Sequence, residues 1–492
     1  MPGSPAEGRA RLDAALAARA NGDAERAVAL CGALLGDHPD YVAALRLMVE
    51  LSADRGDARE AAAHLGHAFR LDPFEPGVGA ALARAYLDLD APELAMRTAQ
   101  EALALAPADA TIHALLGEAY RLDREYELAA DSFSQALRLD PKSVSAAHGL
   151  ARCQIQLGRL ETAADVLNRL VGQGCEQADV LLTLCRLPAN LVTVDLLAAV
   201  DRGVATHRAD DRGRRQFLRA TALHLKGRHA EAWQHLLEAN QAVFARTRAA
   251  YEASVPSRAA ILRAVSQLPP AAVDARGSAS GLPLPLLILG PPRSGKSTLE
   301  ALLARTEGVK RGFESPVVRS AVHRAFHAAG WPVADHLDEL PAEHDGLFGV
   351  KFRDEVARRA GDARVFTSNT YGVLRSVARL SRAVPEARFV FVRRDTHDQT
   401  YAIFSQHYGL NLNYAYDLAA IREFADWYAA MGEALSHHLP GRVLMLDYEA
   451  IVTRSTESVA AVSALCGVPF SPPSGPVGND IGVSAPYRRG LG

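Results

Sequence analysis

A chain of 492 residues is too long for one ordinary hydrophobic core, and 49% hydrophobic with 23% charged residues is the composition of a folded protein. A formal net charge of -3 gives nucleic acid or an anionic membrane no electrostatic hold as the main partner. Five scattered cysteines without a CxxC pair exclude a disulfide framework or a zinc knuckle, and no apolar run reaches the roughly 18 residues that span a bilayer. The opening MPGSPAEGRARLDAA lacks the apolar segment of a secretory leader, so the cytoplasm is the expected location.

The first elements along the chain are helices in a fixed register. Pro39, Pro73, Pro107 and Pro141 fall 34 residues apart. Ala27, Ala61, Ala95, Ala129 and Ala163 keep the same spacing, as do Ala68, Ala102 and Ala136. Ala15, Ala83, Gly117 and Ala151 form a third small-residue series. Small residues at fixed helical positions let two helices cross closely, and a proline one helix later ends the second and opens the next turn. The pattern resembles the tetratricopeptide repeat, which implies stacked helix pairs and a concave groove. Four repeats are expected over 7–141 and a partial fifth over 142–174, with less regular helices over 175–215. ATALHLKGRHAEAWQHLLEANQ then returns to the pattern through Gly227, Ala232 and Ala239. Such a groove takes a peptide or protein partner; packing against the rest of the chain, or pairing with a second copy, is the alternative.

Periodicity stops at SQLPPAAVDARGSASGLPLP, rich in Pro, Gly and Ser. We read 7–265 as the solenoid, 266–284 as a linker and 285–492 as an α/β domain with a mainly parallel sheet. That domain opens with LPLLILG, then PPRSGKSTLEALLART, which reads as strand, loop and helix. Gly290, Gly295, Lys296 and Ser297 satisfy GxxxxGK[ST]. Loop N–H groups and the helix N-terminus converge on an anion, glycines allow its close approach, and Arg293 with Lys296 adds positive charge. By itself the pattern specifies a phosphate, not a particular nucleotide.

GPPRSGKSTLEALL is similar to the 5′-phosphosulfate loop of sulfotransferases, and ARFVFVRRDTHDQTYAIFSQHY resembles their 3′-phosphate motif. NYAYDLAAIREFADWYAAM, LPGRVLMLDYEAIV and LCGVPF resemble later segments of bacterial sulfotransferases with tetratricopeptide repeats. The resemblance implies a transferase using 3′-phosphoadenosine 5′-phosphosulfate (PAPS), related to the protein-tyrosine branch, by direct in-line displacement without a metal. It implies that Pro292, Arg293, Ser294, Gly295, Lys296, Ser297 and Thr298 hold the 5′-phosphosulfate. Arg293 and Lys296 would stabilise the leaving phosphate, and Glu314, in RGFESPVV, would be the general base. Arg394 would grip the 3′-phosphate, Tyr448 would lie near the nucleotide, and Arg488 in the closing VSAPYRRGLG could reach the same phosphate.

Plain alternatives stand beside these roles. Glu314 could cap a helix, Arg394 could pair with Asp395 or Asp398 on a turn, and Tyr448 could be core packing. The sequence also departs from the family. Lys296–Ser297 stands for two threonines, Ala402 for a serine eight residues after Arg394, and Asn369 in TSNTYG for a lysine. Two other functions remain open: an ATPase or kinase with Asp447 as its metal-holding acid, and a repeat scaffold with a degenerate nucleotide domain. The acceptor hydroxyl, whether a peptide tyrosine or a sugar, is not specified.

Overall fold

The computed structural model describes residues 5–55, 57–74, 77–89, 91–204, 212–271, 281–329, 336–369, 373–410, 412–472, 477 and 481–491. They fall into two compact units, 1–195 and 196–492.

The first unit is a run of antiparallel helix pairs. Its helices are α1 (Pro5–Ala20), α2 (Ala24–Asp37), α3 (Val42–Asp54), α4 (Ala58–Leu71), α5 (Val78–Asp88) and α6 (Pro92–Leu105). They continue with α7 (Ala110–Leu122), α8 (Tyr126–Leu139), α9 (Val144–Gln156), α10 (Leu160–Gly172) and α11 (Ala178–Cys185). The alanines of the 34-residue register are the buried ones: Ala27, Ala95, Ala129 and Ala163 are wholly excluded from solvent. Acidic caps start several helices, with Asp23, Asp57 and Asp109 each accepting backbone N–H groups of the first turn.

Two glycines hold one aromatic ring in this unit. The buried Phe133 of α8 lies between Gly117 and Gly149; a Cβ at Gly149 would stand 2.4 Å from its ring, and one at Gly117 2.9 Å. Gly149→Ala gains about 1 kcal/mol of helix propensity. It also over-packs a ring with nowhere to move, which costs about 1–3 kcal/mol. The clash wins. The expected outcome is a lower urea midpoint for Gly149→Ala; a raised midpoint would show that the ring relaxes.

The second unit begins with α12 (Leu196–Val204), α13 (Arg212–Leu225) and the 38-residue α14 (His229–Ser266). Then come β1 (Leu284–Leu289), α15 (Lys296–Leu303), β2 (Val309–Arg311), α16 (Val317–Ala329), α17 (Asp345–Ala360), β3 (Val365–Ser368) and α18 (Val377–Ala383). The chain continues through β4 (Arg388–Arg393), α19 (Thr396–Phe404), α20 (Leu418–His438), β5 (Val443–Asp447), α21 (Tyr448–Thr453), α22 (Ser455–Cys466) and α23 (Arg488–Leu491). The strands form one parallel sheet in the order β2-β3-β1-β4-β5. β1 is apolar on both faces because both are covered. Leu286 and Ile288 join Leu299, Leu303 and Val462 on one side, while Leu287 and Leu289 join Phe348, Phe352 and Met431 on the other.

The compact division falls before the linker read at 266–284, of which 272–280 lie outside the described residues. The pair α13–α14 continues the repeat pattern in sequence, yet Phe217, Leu236, Val243 and Phe244 share a core with Ile403, Phe404, Tyr416 and Ile421 of the sheet-bearing unit. Among the described residues no helix is long and apolar enough to cross a membrane.

Candidate functional site

In this order β1 lies between β3 and β4, and the chain leaves β1 toward one edge of the sheet and later returns to the other. A crevice opens at the carboxyl ends where a doubly wound sheet changes direction, and ligands settle there. Here the residues following β1 and β4 are Gly290 and Arg394.

The loop 290–295 is held from outside by its own carbonyls. Lys296 Nζ donates to the oxygens of Gly290 (2.7 Å) and Pro291 (2.8 Å). Gln399 Nε2 donates to Pro292 O at 3.3 Å, and Arg394 Nη1 to Arg293 O at 2.9 Å. Four successive carbonyls therefore face protein donors. Because a trans peptide sets each N–H opposite the preceding C=O, the amide of Arg293 is turned the other way. Pro291 and Pro292 bring no N–H that could spoil the pattern. Arg293 itself is left-handed at φ 63°, and its side chain is exposed.

Two glycines are required by closeness. A Cβ at Gly290 would stand 2.8 Å from Val392 O, and one at Gly295, where φ is +100°, would stand 2.1 Å from the Tyr448 ring. Tyr448 is buried, begins α21 and carries the Arg394 guanidinium 4.7 Å above its ring centre. Phosphate loop, Arg394 and Tyr448 are thus one packed assembly. Arg394 is buried rather than on a surface turn, and its charge still acts on the buried Asp398 carboxylate. Asp395 caps α19 by accepting from Asp398 N, and Asp398 accepts from Gly482 N, Ser484 N and Ser484 Oγ.

Lys296 is nearly enclosed, and burial lowers its pKa to about 8, with Glu314 opposing that fall. Glu314, exposed in the loop after β2, acts on the lysine through its charge. Ser297 is exposed and Thr298 half-buried at the start of α15. Arg488 is exposed on α23, and among the described residues no hydrogen bond or ion pair joins it to the loop; the side chain of Arg489 lies outside the described residues. Its neighbour Tyr487 is stacked on Tyr401 with ring centres 4.4 Å apart and shares a hydrogen bond of 2.6 Å with His224 Nδ1.

The departures acquire places. Asn369 donates to Glu300 Oε2 (2.5 Å) and to Ser297 Oγ (3.4 Å), so its amide is bound to the helix that follows the loop. Residues 370–372 of TSNTYG lie outside the described residues. Ala402 is buried within α19. Asp447, the acid an ATPase would use, is bound to Arg393 at 3.0 Å.

Sequence reasoning missed Glu300, Gln399 and Tyr428. Glu300 sits four residues after Lys296, and Tyr428 Oη accepts from Gly290 N at 3.2 Å. Only the Lys296–Glu300 spacing, one helical turn, was a usable signal.

An oxyanion-bearing ligand fits. Ser294 Oγ, Ser315 Oγ, Ser368 Oγ and Asn369 Oδ1 are buried at the carboxyl ends of the strands or in the loops after them, and none has a hydrogen-bond partner among the described residues. Buried polar groups left so are satisfied by a ligand or by water.

Comparison with known proteins agrees with this geometry. Residues 285–472 match the sulfotransferase family, and 80–144 and 121–184 match tetratricopeptide repeat families. No curated protein matches the chain. Among solved structures, MamA from Desulfovibrio magneticus RS-1 is 21% identical, covering 35% of this chain and 96% of its own at a TM-score of 0.32. A tetratricopeptide repeat protein from Parabacteroides merdae is 16% identical, covering 48% of this chain and 92% of its own at a TM-score of 0.38. The transferase domain that holds the phosphate loop, together with the repeats before it, makes this chain a tetratricopeptide-repeat sulfotransferase.

Proposed function

We propose that the sulfonate donor is PAPS and that the acceptor is a hydroxyl, on a peptide tyrosine or a sugar. The observation that carries the reading is the capped loop: the carbonyls of residues 290–293 are turned to protein donors, with the Lys296 ammonium beside them and the Arg293 amide on the opposite side of its peptide. When bound, the donor supplies a sulfuryl group on a phosphate leaving group. The Glu314 carboxylate takes the proton of the acceptor hydroxyl. Lys296 Nζ and the Arg293 guanidinium hold the charge that gathers on the phosphate oxygens. Arg394, and Arg488 from the closing segment, hold the 3′-phosphate, with Tyr448 packed beneath.

We assign recognition to 7–265 and transfer to 285–492, joined by 266–284. The stacked repeats support a peptide or protein partner, as such solenoids present a concave groove. Arg121 of α7 is bound to Glu118 (Nε–Oε2 2.7 Å), and the charges of both act on Arg152 of α9. Burial, then the Arg121 charge, lowers the pKa of Arg152, and the carboxylates of Glu118 and Asp179 oppose that fall. Free cysteines, with Cys31, Cys153, Cys185 and Cys466 buried, fit a reducing compartment, which we take to be the cytoplasm.

Calorimetry with adenosine 3′,5′-bisphosphate, alongside ATP with magnesium, tests the donor. Tight bisphosphate binding that weakens by about 1.5–3 kcal/mol in Arg394→Ala is expected, the worth of hydrogen bonds to a charged group. Tight ATP without bisphosphate would move Lys296 and Asp447 into an ATPase, and binding of neither would leave a scaffold. An acceptor screen of tyrosine peptides and sugars against the full chain then separates the two acceptor classes.

A further inference from the structure

The segment that carries Glu314 is fixed by one buried carboxylate. Glu300, on α15, is entirely excluded from solvent. Its Oε1 accepts from Phe313 N and from Thr367 Oγ1, each at 2.9 Å. Its Oε2 accepts from Arg311 Nε at 3.1 Å and from Asn369 Nδ2 at 2.5 Å. The donors come from the end of β2, from the residue just before Glu314, and from the end of β3. The acceptor belongs to the helix that Lys296 begins.

The loop is held tightly on its other side too. Asn369 N donates to Phe313 O at 2.8 Å, so both polar groups of Phe313 are bound. Phe313 has φ 55°, a left-handed conformation that residues with side chains avoid unless their surroundings impose it. A Cβ at Gly312 would stand 2.2 Å from Thr367 O, which presses the segment against β3. The Arg311 guanidinium covers the Phe313 ring at 4.1 Å. The apolar residues around Glu300, Leu299, Leu302 and Leu303, join α15 to the sheet without it. The polar contacts of Glu300 are spent on the segment before Glu314 and on the end of β3.

We propose that Glu300 is a positioning residue for transfer: it sets the Glu314 carboxylate against the phosphate loop by holding residues 311–313 to the helix of Lys296. The inference rests on Glu314 being the general base. Glu300→Gln keeps the volume but turns an amide N–H₂ toward one pair of donors, so that pair must move away. A displacement of the base by about 1 Å costs on the order of 10²-fold in rate.

The test is a double-mutant cycle in the full chain, reading kcat, its acid limb with pH, and bisphosphate binding. Glu300→Gln is expected to lower kcat about 10²-fold. It should also shift the acid limb that Glu314 sets, with bisphosphate binding retained. In the Glu314→Gln background the same change should leave the residual kcat unaltered. An equal loss in both backgrounds would overturn the proposal and reduce Glu300 to a structural part of the loop. If Glu314→Gln alone leaves kcat intact, the base assignment falls and takes the positioning role with it. Should Glu300→Gln not fold, Thr367→Val removes one donor at constant shape, and its smaller loss must likewise vanish beside Glu314→Gln.

Discussion

Glu314→Gln should lower kcat by about 10²–10⁴-fold, the usual worth of a positioned general base. The amide keeps the size of the side chain but has no lone pair basic enough to take a hydroxyl proton. Binding of adenosine 3′,5′-bisphosphate should be retained, because the loop carbonyls are fixed by Lys296, Gln399 and Arg394 rather than by Glu314. Single-turnover rates with a sulfuryl donor, beside calorimetry of the desulfated nucleotide, check both halves. A variant that binds and still turns over at the original rate would remove Glu314 from the chemistry.

Lys296→Met is expected to damage both stages. Losing a preorganised cation from the leaving group costs about 10²–10³-fold in kcat. Losing the donor to Gly290 O and Pro291 O also frees the loop, so donor affinity falls as well. Arg293→Ala, whose side chain is exposed and whose backbone oxygen does the holding, should affect kcat with little change in affinity.

The pH dependence separates the two cations further. Burial holds the Lys296 pKa at about 8, below its ordinary 10.5. Below the lower value both folded and unfolded chains carry the proton. As pH rises through 8 the folded chain releases it first, so the cost of burying the charge is relieved and stability rises toward the unfolded pKa. Anion binding pulls the other way and restores the proton. Bisphosphate binding near pH 8–9 should therefore take up protons, seen as a heat that depends on buffer ionisation enthalpy, and Lys296→Met should abolish that uptake.

The phosphate loop and the repeats were legible because each is a local pattern. Pro39 to Pro141 keep a spacing, and Gly290 to Ser297 fall within one strand–turn–helix. The core strand β1 was legible for the same reason, as a short apolar run followed by a turn. The packing of α13 and α14 was not legible, since its repeat alanines fit any helix pair and the sequence does not say which surface will cover Phe217 and Val243. Nor was the network on Glu300 readable. Its donors Phe313, Thr367 and Asn369 are brought in by β2 and β3, and a glutamate inside an amphipathic helix looks like one more solvated charge. Gln399 and Tyr428 were hidden for the same reason: a carbonyl has no sequence signature, so neither do the side chains that answer it.

The division between Asp195 and Leu196 bears on how the chain is made. A ribosome finishes the first unit early, and its contacts, mostly between neighbouring helices, can form while synthesis goes on. Helices α13 and α14 emerge next, but the surfaces of α19 and α20 that cover them are translated only after most of the sheet. Their apolar stripes wait in the interval, at the stage where a nascent chain is open to chaperones. A fragment starting at Leu196 carries everything its second core requires, whereas one starting at Pro285 leaves Ile403, Tyr416 and Ile421 without a cover.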